Sequence, residues 1–561
     1  MYTLFRRLSA PLSAYGRFVP ALCLVALALG GVLTSILVKP WAPTYILGLG
    51  RLSGIAIWLL LLLVARALAR GKRHAWLLSI SLFALLGAFS FGNRSMRILF
   101  PLILALLLIF IFLAPLFKAR SDPGALMRGY ASLVVGTLAL YGHRIEYALL
   151  RPLSPHPYSL MFVIRLGAFI LIGIGVIEIL RPVLPRHVAQ HAEPERARSV
   201  VMRYASRSLA HYTLGPSMSY FWADSGQAFL AYRVYRGIAI VLGDPIGRKN
   251  DLAVLIQQFR VFCQRQDWEP AIYQASPEAL SYLSYLSYPS TGGIQAIKVG
   301  EEAIVDTTEF TVQGKIGAPV RHAIARARRD CVSVTLWHGE ALPDSIFAGM
   351  KRISAAWLQS HHTYTQMGFS MGRFPADWSP DLLTVVAQDQ DGEVLAFLTW
   401  TPLYRGNGWT LDNMRRAQQT PPGTMEYLIA ESMEWARVRG YSAMSLSLAP
   451  LAGLREEVQG INDLDASPRW RITPSARLLQ RSAAYLHRRG MLLGNYHSLY
   501  FFKSKFQPIW EPRYLVLTDA SALPRVLIAL AVVHGMEWRT AVRDIWASAP
   551  FPRARAFPFV R

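Results

Sequence analysis

Two carboxylates and one arginine lie around a single short loop of the sequence. Asp412 and Arg415 directly follow the apolar residues of a predicted strand, and Glu426 lies just beyond the loop Pro421-Pro422-Gly423. A carboxylate can take a proton from an attacking hydroxyl, and an arginine binds phosphate through its planar guanidinium. The pattern therefore indicates proton-transfer chemistry beside a bound phosphate. The alternative is structural: Asp412 pairs with Arg415, and Glu426 lies at the positive end of a helix dipole.

A strand, a loop, a helix and a second strand must position these side chains. We expect Thr424 to cap a helix that Gly440 ends, and residues 441–448 alternate as the following strand. This order is typical of the acyltransferase fold called GNAT, in which the loop and the helix N-terminus receive a phosphate-bearing acyl donor. The loop has a single glycine, whereas coenzyme A users of that fold have several closely spaced glycines. The sequence therefore favours a different activated acyl group.

The positive charge of the chain is concentrated in its first third. The 561 residues carry a net charge of +24, and residues 1–184 contain 18 Lys and Arg but only three acids. The three cysteines, Cys23, Cys263 and Cys331, are far apart in sequence. Their spacing supports neither a disulfide framework nor a thiolate metal site, and it fits a reducing compartment for the second half.

Residues 1–184 are predicted to form a membrane domain. Basic residues concentrate before the first apolar run, after the second and after the fourth, so the positive-inside rule places everything after Arg181 in the cytosol. In the fifth run, Arg144 and Glu146 would form either an intramembrane functional pair or an interfacial pair that snorkels. Six apolar runs have spanning length: 19–38, 45–69, 75–92, 97–117, 128–149 and 159–180.

The second half predicts two α/β layouts in series. The first begins with a three-stranded meander over 220–246 and ends with a basic helix over 317–330. The second begins near Pro343 and closes with a helix over 474–489 and a final strand over 496–502. We therefore predict four regions: a transmembrane helical domain (1–184), a first GNAT-like domain (185–338), a second, catalytic GNAT-like domain (339–520) and an amphipathic, basic tail (521–561).

The apolar stretch of the tail, residues 521–538, is too short to span a bilayer. It would either lie on the membrane surface or pack against the soluble domain.

Eight short motifs of the second half follow one another in the order found in one enzyme family. They are Gly243-Asp244-Pro245, Gly300-Glu301-Glu302, Gly372-Arg373-Phe374, Asp412-Asn413-Met414-Arg415, Gly423-Thr424-Met425-Glu426, Trp435-Ala436 with Gly440-Tyr441, Ala449-Pro450-Leu451, and the run from Lys503 to Tyr514. Each motif is weak alone, but eight in order behind a membrane domain are specific. With them, the second half resembles the synthase domain of the phosphatidylglycerol lysyltransferases, the multiple peptide resistance factor family.

The resemblance implies a tandem GNAT fold that esterifies an amino acid, lysine or alternatively alanine, to a glycerol hydroxyl of phosphatidylglycerol. The implied partners are aminoacyl-tRNA, phosphatidylglycerol and anionic membrane lipids, with a second copy of the chain as a further candidate. Because the aminoacyl-tRNA ester is already activated, no cofactor and no metal are expected. The family also implies a multi-pass protein of the bacterial inner (cytoplasmic) membrane, with a product that confers resistance to antimicrobial peptides. The small number of spans argues against a flippase role.

The resemblance also assigns roles to the candidate site residues. Asp412 or Glu426 would bind the α-ammonium group or act as the base, with Arg415 as the third catalytic candidate. The substrate-binding candidates are Arg373, Lys503, Lys505, Arg513 and His497. The basic helix would contact phosphates of tRNA or lipid through Arg321, Arg326, Arg328 and Arg329. The alternatives are a solvated basic edge for the cations and a structural role for His497.

Four positions depart from the family pattern. Glu426 replaces the usual Asp, Ser447 replaces a Gly, and Ser498 and Phe502 replace the Gly and Tyr before the lysine motif. These changes could alter the acceptor pocket or the choice of amino acid. Two other functions stay open: a GNAT-like acyltransferase with another donor, such as acyl-CoA, or another lipid acceptor, and a non-enzymatic lipid translocator with a regulatory cytosolic domain.

Overall fold

The structure of the protein is a computed structural model in which the chain divides into two compact units. Unit 1 comprises residues 1–186, 261–269 and 288–290, and unit 2 comprises residues 187–260, 270–287 and 291–561. The predicted division of residues 185–520 into two GNAT-like domains stays a prediction. The structure describes residues 18–37, 50–92, 97–98, 100–141, 157–183, 192–286, 294–360, 368–452 and 496–535.

Helices that pack in pairs form the described part of unit 1. The helices are α1 (Phe18–Leu37), α2 (Gly50–Ala69), α3 (Arg73–Gly92), α4 (Phe100–Phe112), α5 (Pro123–Tyr141) and α6 (Pro157–Ile179). The packed pairs are α1 with α2, α3 with α4 and α5 with α6. A Cβ atom on Gly136 of α5 would lie 2.8 Å from the carbonyl oxygen of Ala168 in α6. Small residues therefore let the backbones of α5 and α6 approach closely.

Helix α6 is the one described helix that is both long and apolar enough to cross a membrane, over Phe162–Ile179. The six predicted apolar runs overlap α1 to α6 where the structure describes them, and the number of spans stays a prediction. Arg144 and Glu146 lie outside the described residues. Shorter apolar helical stretches are Phe18–Leu29, Ile57–Ala69, Arg73–Ala88, Phe100–Phe112 and Leu523–Val533.

The rest of the described chain is a mixed α/β structure. Its helices are α7 (Ala192–Tyr204), α8 (Lys249–Gln266), α9 (Leu280–Leu283), α10 (Ala318–Arg329), α11 (Asp344–Ser360), α12 (Thr424–Val438), α13 (Tyr496–Ser504) and α14 (Leu523–Val533). Its strands are β1 (Ser219–Trp222), β2 (Ala228–Tyr235), β3 (Ile238–Leu242), β4 (Ile246–Gly247), β5 (Glu269–Ala275), β6 (Gln295–Asp306), β7 (Ser333–Trp337), β8 (Leu383–Gln388), β9 (Val394–Pro402), β10 (Gly408–Arg416), β11 (Ala443–Pro450) and β12 (Ile509–Leu517).

The strands form one sheet in which early and late parts of the chain interleave. The order is β1-β2-β3-β5-β12-β6-β11-β10-β9-β8-β7, with β4 paired to β2. Strand β12 lies between β5 and β6 and is antiparallel to both. Strand β6 is also antiparallel to β11 on its other side. Strands β10 and β11 run parallel, as expected for a strand–helix–strand unit. The sheet therefore brings residues near 300, 412, 447 and 513 into neighbouring strands.

Two turns show why glycine occupies particular motif positions. In the β2–β3 hairpin, Tyr235 pairs with Ile238, and the two turn residues Arg236 and Gly237 have φ angles of 46° and 79°, as two-residue hairpin turns require. Before α12, Gly423 has a φ angle of 93° and is the N-cap, and a Cβ there would lie 2.3 Å from the carbonyl oxygen of Ala323. The prediction that Thr424 caps this helix is wrong, because Thr424 is already helical and its hydroxyl donates to the carbonyl oxygen of Pro421 at 2.7 Å.

The predicted final strand over 496–502 is wrong, because these residues form α13. Aromatic residues favour strands by propensity, but packing decides the conformation here. Tyr500 stacks on Trp510 with ring centroids 4.5 Å apart, and Phe502 packs beside the buried ring of Phe506. The final strand is instead β12, which begins at Ile509, within the motif that runs from Lys503 to Tyr514. The helix predicted over 474–489 lies outside the described residues.

Helix α14 packs on strands β2 and β3. Val526, Ala529, Leu530 and Val533 are buried in one cluster with Ile238, Ile240 and Leu242 of β3. Of the two predicted alternatives for the tail, residues 523–533 therefore follow the one in which the apolar stretch packs against the folded domain.

Candidate active site

Strands β10 and β11 separate at the position of the candidate site. They pair only over residues 408–410 and 443–445. The register of β10 on β9 shifts between Leu411 and Met414, and that of β11 on β6 shifts between Ser445 and Leu448. Such irregularities redirect side chains. They place Asp412 and Ser447 on the two diverging strands.

Asp412 accepts four hydrogen bonds, two on each carboxylate oxygen. Oδ1 accepts from the Tyr212 hydroxyl at 3.1 Å and from the Gly372 backbone N–H at 2.7 Å. Oδ2 accepts from the Thr399 hydroxyl at 3.1 Å and from the Asn413 side-chain amide at 2.7 Å. A Cβ on Gly372 would lie 2.6 Å from Oδ2, so this approach requires the glycine of the Gly372-Arg373-Phe374 motif.

Burial gives this carboxylate an unusual proton affinity. Burial raises the pKa of Asp412 and outweighs the hydrogen bonds from Gly372, Tyr212 and Thr399, which act to lower it. Burial, together with the charge of Asp412, also raises the pKa of the Tyr212 hydroxyl. Asp412 therefore accepts a proton more readily than an exposed aspartate does.

Arg415 is connected to Asp412 through Asn413. Its Nη2 donates to the Asn413 side-chain oxygen at 3.0 Å, and Nη1 donates to the Ser354 hydroxyl. Its guanidinium carbon lies 5.3 Å from the ring centroid of Trp357. Burial lowers the pKa of Arg415, and the nearby charge of Asp412 opposes this. The structure thus brings both predicted residues into one buried network.

Lys503 is buried beneath the divergence of β10 and β11. Its Nζ donates to the carbonyl oxygens of Ser447 at 3.0 Å and Leu448 at 2.8 Å. Burial lowers the pKa of Lys503 to about 7, against the opposing charge of Glu302. Ser447 has a φ angle of 64°, and its hydroxyl donates to the carbonyl oxygen of Leu411. This left-handed conformation accounts for the glycine that the family pattern has at this position.

Arg513 forms a buried ion pair with Glu302. Its Nε donates to Glu302 Oε2 at 2.8 Å, and the two side chains are 4% and 2% exposed. Glu302 also accepts a hydrogen bond from Ser445, and Arg513 pairs with Glu511 at 3.0 Å. Although burial acts to raise it, the charge of Arg513 and these hydrogen bonds leave the pKa of Glu302 below its usual value. The pair fixes β12 to β6 and orients the guanidinium.

Glu426 and Lys505, both predicted site residues, bind each other. Lys505 Nζ lies 2.8 Å from Glu426 Oε1 in the first turn of α12. Lys505 is 38% exposed and Glu426 is 13% exposed. His497 belongs to α13, and its side chain lies outside the part of the chain that the structure describes.

The four arginines of α10 divide into two kinds. Arg321 donates to the carbonyl oxygens of residues 312 and 314, and Arg328 pairs with Glu431 at 3.4 Å. Arg326 and Arg329 are exposed, and neither side chain forms a hydrogen bond or an ion pair with another described residue. Only these two arginines are thus available for an external anion without breaking a described contact.

A cavity of about 710 Å³, which we call the Asp412 cavity, opens beside Asp412. Its walls come from segments 211–218, 368–382 and 532–535, together with Arg233, Thr401 and Asp412. Arg373, a predicted site residue, lines the same cavity and binds Asp377 through Nε at 3.1 Å and Nη2 at 3.0 Å.

Sequence reasoning missed several residues of this cavity. Tyr212, Arg233 and His534 belong to none of the eight motifs, and no local pattern distinguishes them. His211 also lines the cavity, its Nδ1 lies 3.0 Å from the Tyr404 hydroxyl, and burial lowers its pKa to about 4. Only the sheet topology, which no motif encodes, brings them to Asp412.

A second cavity of about 470 Å³, the Arg513 cavity, lies on the other side of the turn at 211–214. It is lined by Asp244, Glu278, Tyr282 and Arg513, among others. Asp244 accepts from the Ser276 backbone N–H at 2.9 Å, and burial raises its pKa. Tyr212 lines the first cavity and Thr213 the second, so one short turn borders both.

These sites lie in the stretch that a known family shares. Residues 198–517 match the family described as "Phosphatidylglycerol lysyltransferase, C-terminal". The match covers more than half of the chain. The chain belongs to this family.

Relatives of the phosphatidylglycerol lysyltransferase family extend the similarity beyond that region. The lysylphosphatidylglycerol biosynthesis bifunctional protein LysX of Mycobacterium avium is 29% identical over 527 residues, which is 86% of this chain and 43% of that protein. The LysX protein of Rhodococcus opacus is 29% identical over 518 residues, which is 85% of this chain and 44% of that protein. The chain thus spans less than half the length of these curated relatives.

Two solved structures have the same fold as the C-terminal part of the chain. The C-terminal domain of a candidate lysylphosphatidylglycerol synthetase from Agrobacterium fabrum matches with a TM-score of 0.50 and 27% identity, over 61% of this chain and 96% of that one. The L-PGS structure from Bacillus licheniformis matches with a TM-score of 0.50 and 24% identity, over 63% of this chain and all of that one.

Proposed function

We propose that this protein transfers an amino acid from aminoacyl-tRNA to a glycerol hydroxyl of phosphatidylglycerol. The observation that carries the proposal is the half-buried Asp412 at the wall of a 710 Å³ cavity, within the segment that matches the family. Lysine is the first amino acid to test, since the family and the relatives carry its name. Unit 1 would hold the enzyme in the bacterial inner membrane, with unit 2 in the cytosol.

Tyr212 and Asp412 would act together as the base. Because both oxygens of Asp412 already accept two hydrogen bonds, a substrate hydroxyl would meet the Tyr212 oxygen first. The glycerol hydroxyl would give its proton to Tyr212 as Tyr212 passes its own proton to Asp412. The glycerol oxygen then forms the new ester bond and the bond to the ribose oxygen of the tRNA breaks. The proton returns through Tyr212 to that ribose oxygen.

The other predicted residues would support this reaction. Arg415 holds Asn413, which in turn donates to Asp412, so it would fix the orientation of the carboxylate. Lys503 donates to the carbonyl oxygens of residues 447 and 448 and would hold open the gap between β10 and β11. Glu426 with Lys505, and the exposed arginines of α10, would contact the charged aminoacyl-tRNA. Arg373 would lie beside the acceptor.

The test is transfer of radiolabelled amino acid from aminoacyl-tRNA to phosphatidylglycerol vesicles by the full-length chain in detergent. We expect an aminoacylated lipid whose mass names the amino acid, and no product after RNase treatment. Asp412→Asn and Tyr212→Phe should each lower the rate by about 100-fold or more, the typical effect of removing a general base. Tyr235→Phe, which removes a hydroxyl from the β2–β3 hairpin, is the matched control and should keep the wild-type rate.

Absence of labelled lipid with lysyl-, alanyl- and arginyl-tRNA would refute the proposal. Transfer that resists RNase would instead indicate another acyl donor. A wild-type rate in the Tyr212→Phe variant would show that Tyr212 does not transfer the proton.

A further inference from the structure

Two arginines face the Asp412 cavity, and only one of them has an acidic partner among the described residues. Arg373 is held by Asp377, as given above. Arg233, on β2, is half-buried, and no carboxylate of the described chain forms an ion pair with it. Burial lowers the pKa of Arg233, and so does the nearby charge of Arg373. Arg233 therefore places at the cavity a cation that has no ion-pair partner among the described residues.

One hydrogen bond holds the guanidinium of Arg233 in place, and its other N–H groups can still bind a ligand. Its Nη1 donates to the carbonyl oxygen of Val533, in the last turn of α14, at 2.6 Å. This bond occupies one of the five N–H groups of an arginine. A phosphate is the ligand that best suits such a planar, preoriented donor set.

The wall of the cavity combines these polar groups with apolar side chains. The apolar lining includes Leu214, Met218, Phe369, Met371 and Val532. A cavity of about 710 Å³ is large enough for a ligand of several hundred daltons. A lipid offers both a phosphate and apolar surface, whereas a nucleotide phosphate is flanked by polar ribose. The lining therefore favours the lipid.

Helix α14 connects this positive charge to the proposed base. Beyond Val533, His534 Nε2 lies 2.9 Å from the Ser370 hydroxyl, and the Gly368 N–H donates to the His534 carbonyl oxygen at 3.0 Å. The same segment continues to Gly372, which donates to Asp412. One short series of contacts thus fixes the position of Arg233 relative to Asp412.

We propose that Arg233 binds the phosphodiester of the phospholipid acceptor in the Asp412 cavity, with the headgroup glycerol directed to Tyr212 and Asp412. This inference rests on the proposed function and adds a subsite to it. The end of α14 forms part of the wall of the subsite, and Arg373, which is bound to Asp377, lines the same cavity.

The first arm of the test is kinetic and uses the full-length chain in detergent with a short-chain phosphatidylglycerol. Arg233→Gln should raise the KM for the lipid about 10-fold or more and leave the KM for aminoacyl-tRNA unchanged. Arg233→Lys keeps the positive charge but loses the planar set of guanidinium donors. Its KM for the lipid should therefore lie between those of the wild type and Arg233→Gln. Arg352→Gln is the matched control, because Arg352 is exposed, pairs with Glu393 and lines neither cavity. It should keep both wild-type KM values.

The second arm is equilibrium binding of glycerophosphoglycerol, the headgroup without acyl chains, by calorimetry. We expect binding to the wild type and to Arg352→Gln, and loss of binding in Arg233→Gln. This arm needs no catalysis. If the wild type binds the headgroup through Arg233 but makes no aminoacylated lipid, the subsite stands and the proposed function fails.

Three results would overturn the inference. Unchanged lipid KM and headgroup binding in Arg233→Gln would show that the arginine contacts no lipid phosphate. A raised KM for aminoacyl-tRNA alone would assign the cavity to the tRNA end. Equal rises in both KM values with a lowered unfolding temperature would show that Arg233 only caps α14.

Discussion

Ser447 combines a backbone conformation that suits glycine with a hydrogen bond that only a hydroxyl can make. Its φ angle is 64°, and its hydroxyl bridges the diverging strands to the Leu411 carbonyl. We expect Ser447→Ala to keep the strain and lose the bond, which would cost about 1 kcal/mol. Ser447→Gly loses the same bond but relieves about 1 kcal/mol of left-handed strain. Thermal unfolding should therefore rank Ser447→Gly near the wild type and Ser447→Ala below both. Equal stability of the two variants would contradict the strain.

Lys503 should make stability depend on pH in a predictable direction. Its pKa is about 7 in the folded protein, below the 10.5 of a free lysine side chain. Between these values the unfolded chain binds more protons, so this lysine makes the folded state more stable as pH rises from about 7. The effect is at most about 1.4 kcal/mol per pH unit. Lys503→Met removes this pH dependence. The unfolding temperature of the variant should therefore fall relative to that of the wild type between pH 7 and pH 9. A pH-independent difference would show that Lys503 is not buried. Lys505→Met is the control, because Lys505 is less buried than Lys503 and is paired with Glu426.

At the scale of elements, the sequence predicts what depends on local patterns. The meander over 220–246, the basic helix over 317–330 and the strand–helix–strand unit that begins at Trp409 all appear within a few residues of their expected bounds. Asp412 and Arg415 could be found for the same reason, because a motif carries them. Strand β12 and helix α13 could not, since their identity depends on packing between Tyr500 and Trp510 and on pairing with β6. Tyr212 was missed because it reaches Asp412 across 200 residues of sequence.

Helix α14 offers a prediction at the same scale, because its two faces differ. Leu530 is 8% exposed in the cluster with β3, and Leu527 is 41% exposed one turn earlier. Leu530→Ala should destabilise the protein by about 2–4 kcal/mol, the usual cost of a cavity in a core. Leu527→Ala should change stability by less than about 0.5 kcal/mol. Thermal unfolding of the two variants in detergent measures both. A larger effect for Leu527 would mean that the outer face of α14 is covered by something else.

At the scale of the whole molecule, charge and topology serve different purposes. The net charge of +24 would attract anionic lipids and RNA alike, without distinguishing them. Discrimination must come from the positions that the interleaved sheet creates. In unit 2 the candidates are the Asp412 cavity and, on the surface of α10, the exposed pair Arg326 and Arg329.

Binding of aminoacyl-tRNA should therefore depend on that pair more than on total charge. Arg326 and Arg329 are three residues apart on α10, so they share one face of the helix. The double change to Gln should raise the KM for aminoacyl-tRNA and lower the slope of log KM against log salt by about 1.5, because each phosphate contact contributes roughly 0.7 to 0.9. The matched control changes Arg352 and Arg437 to Gln, since both are exposed and paired with glutamates. Steady-state kinetics over a range of salt concentrations compares the two double variants at equal net charge. Equal slopes would assign tRNA attraction to net charge alone, whereas a lower slope only in the first assigns it to α10.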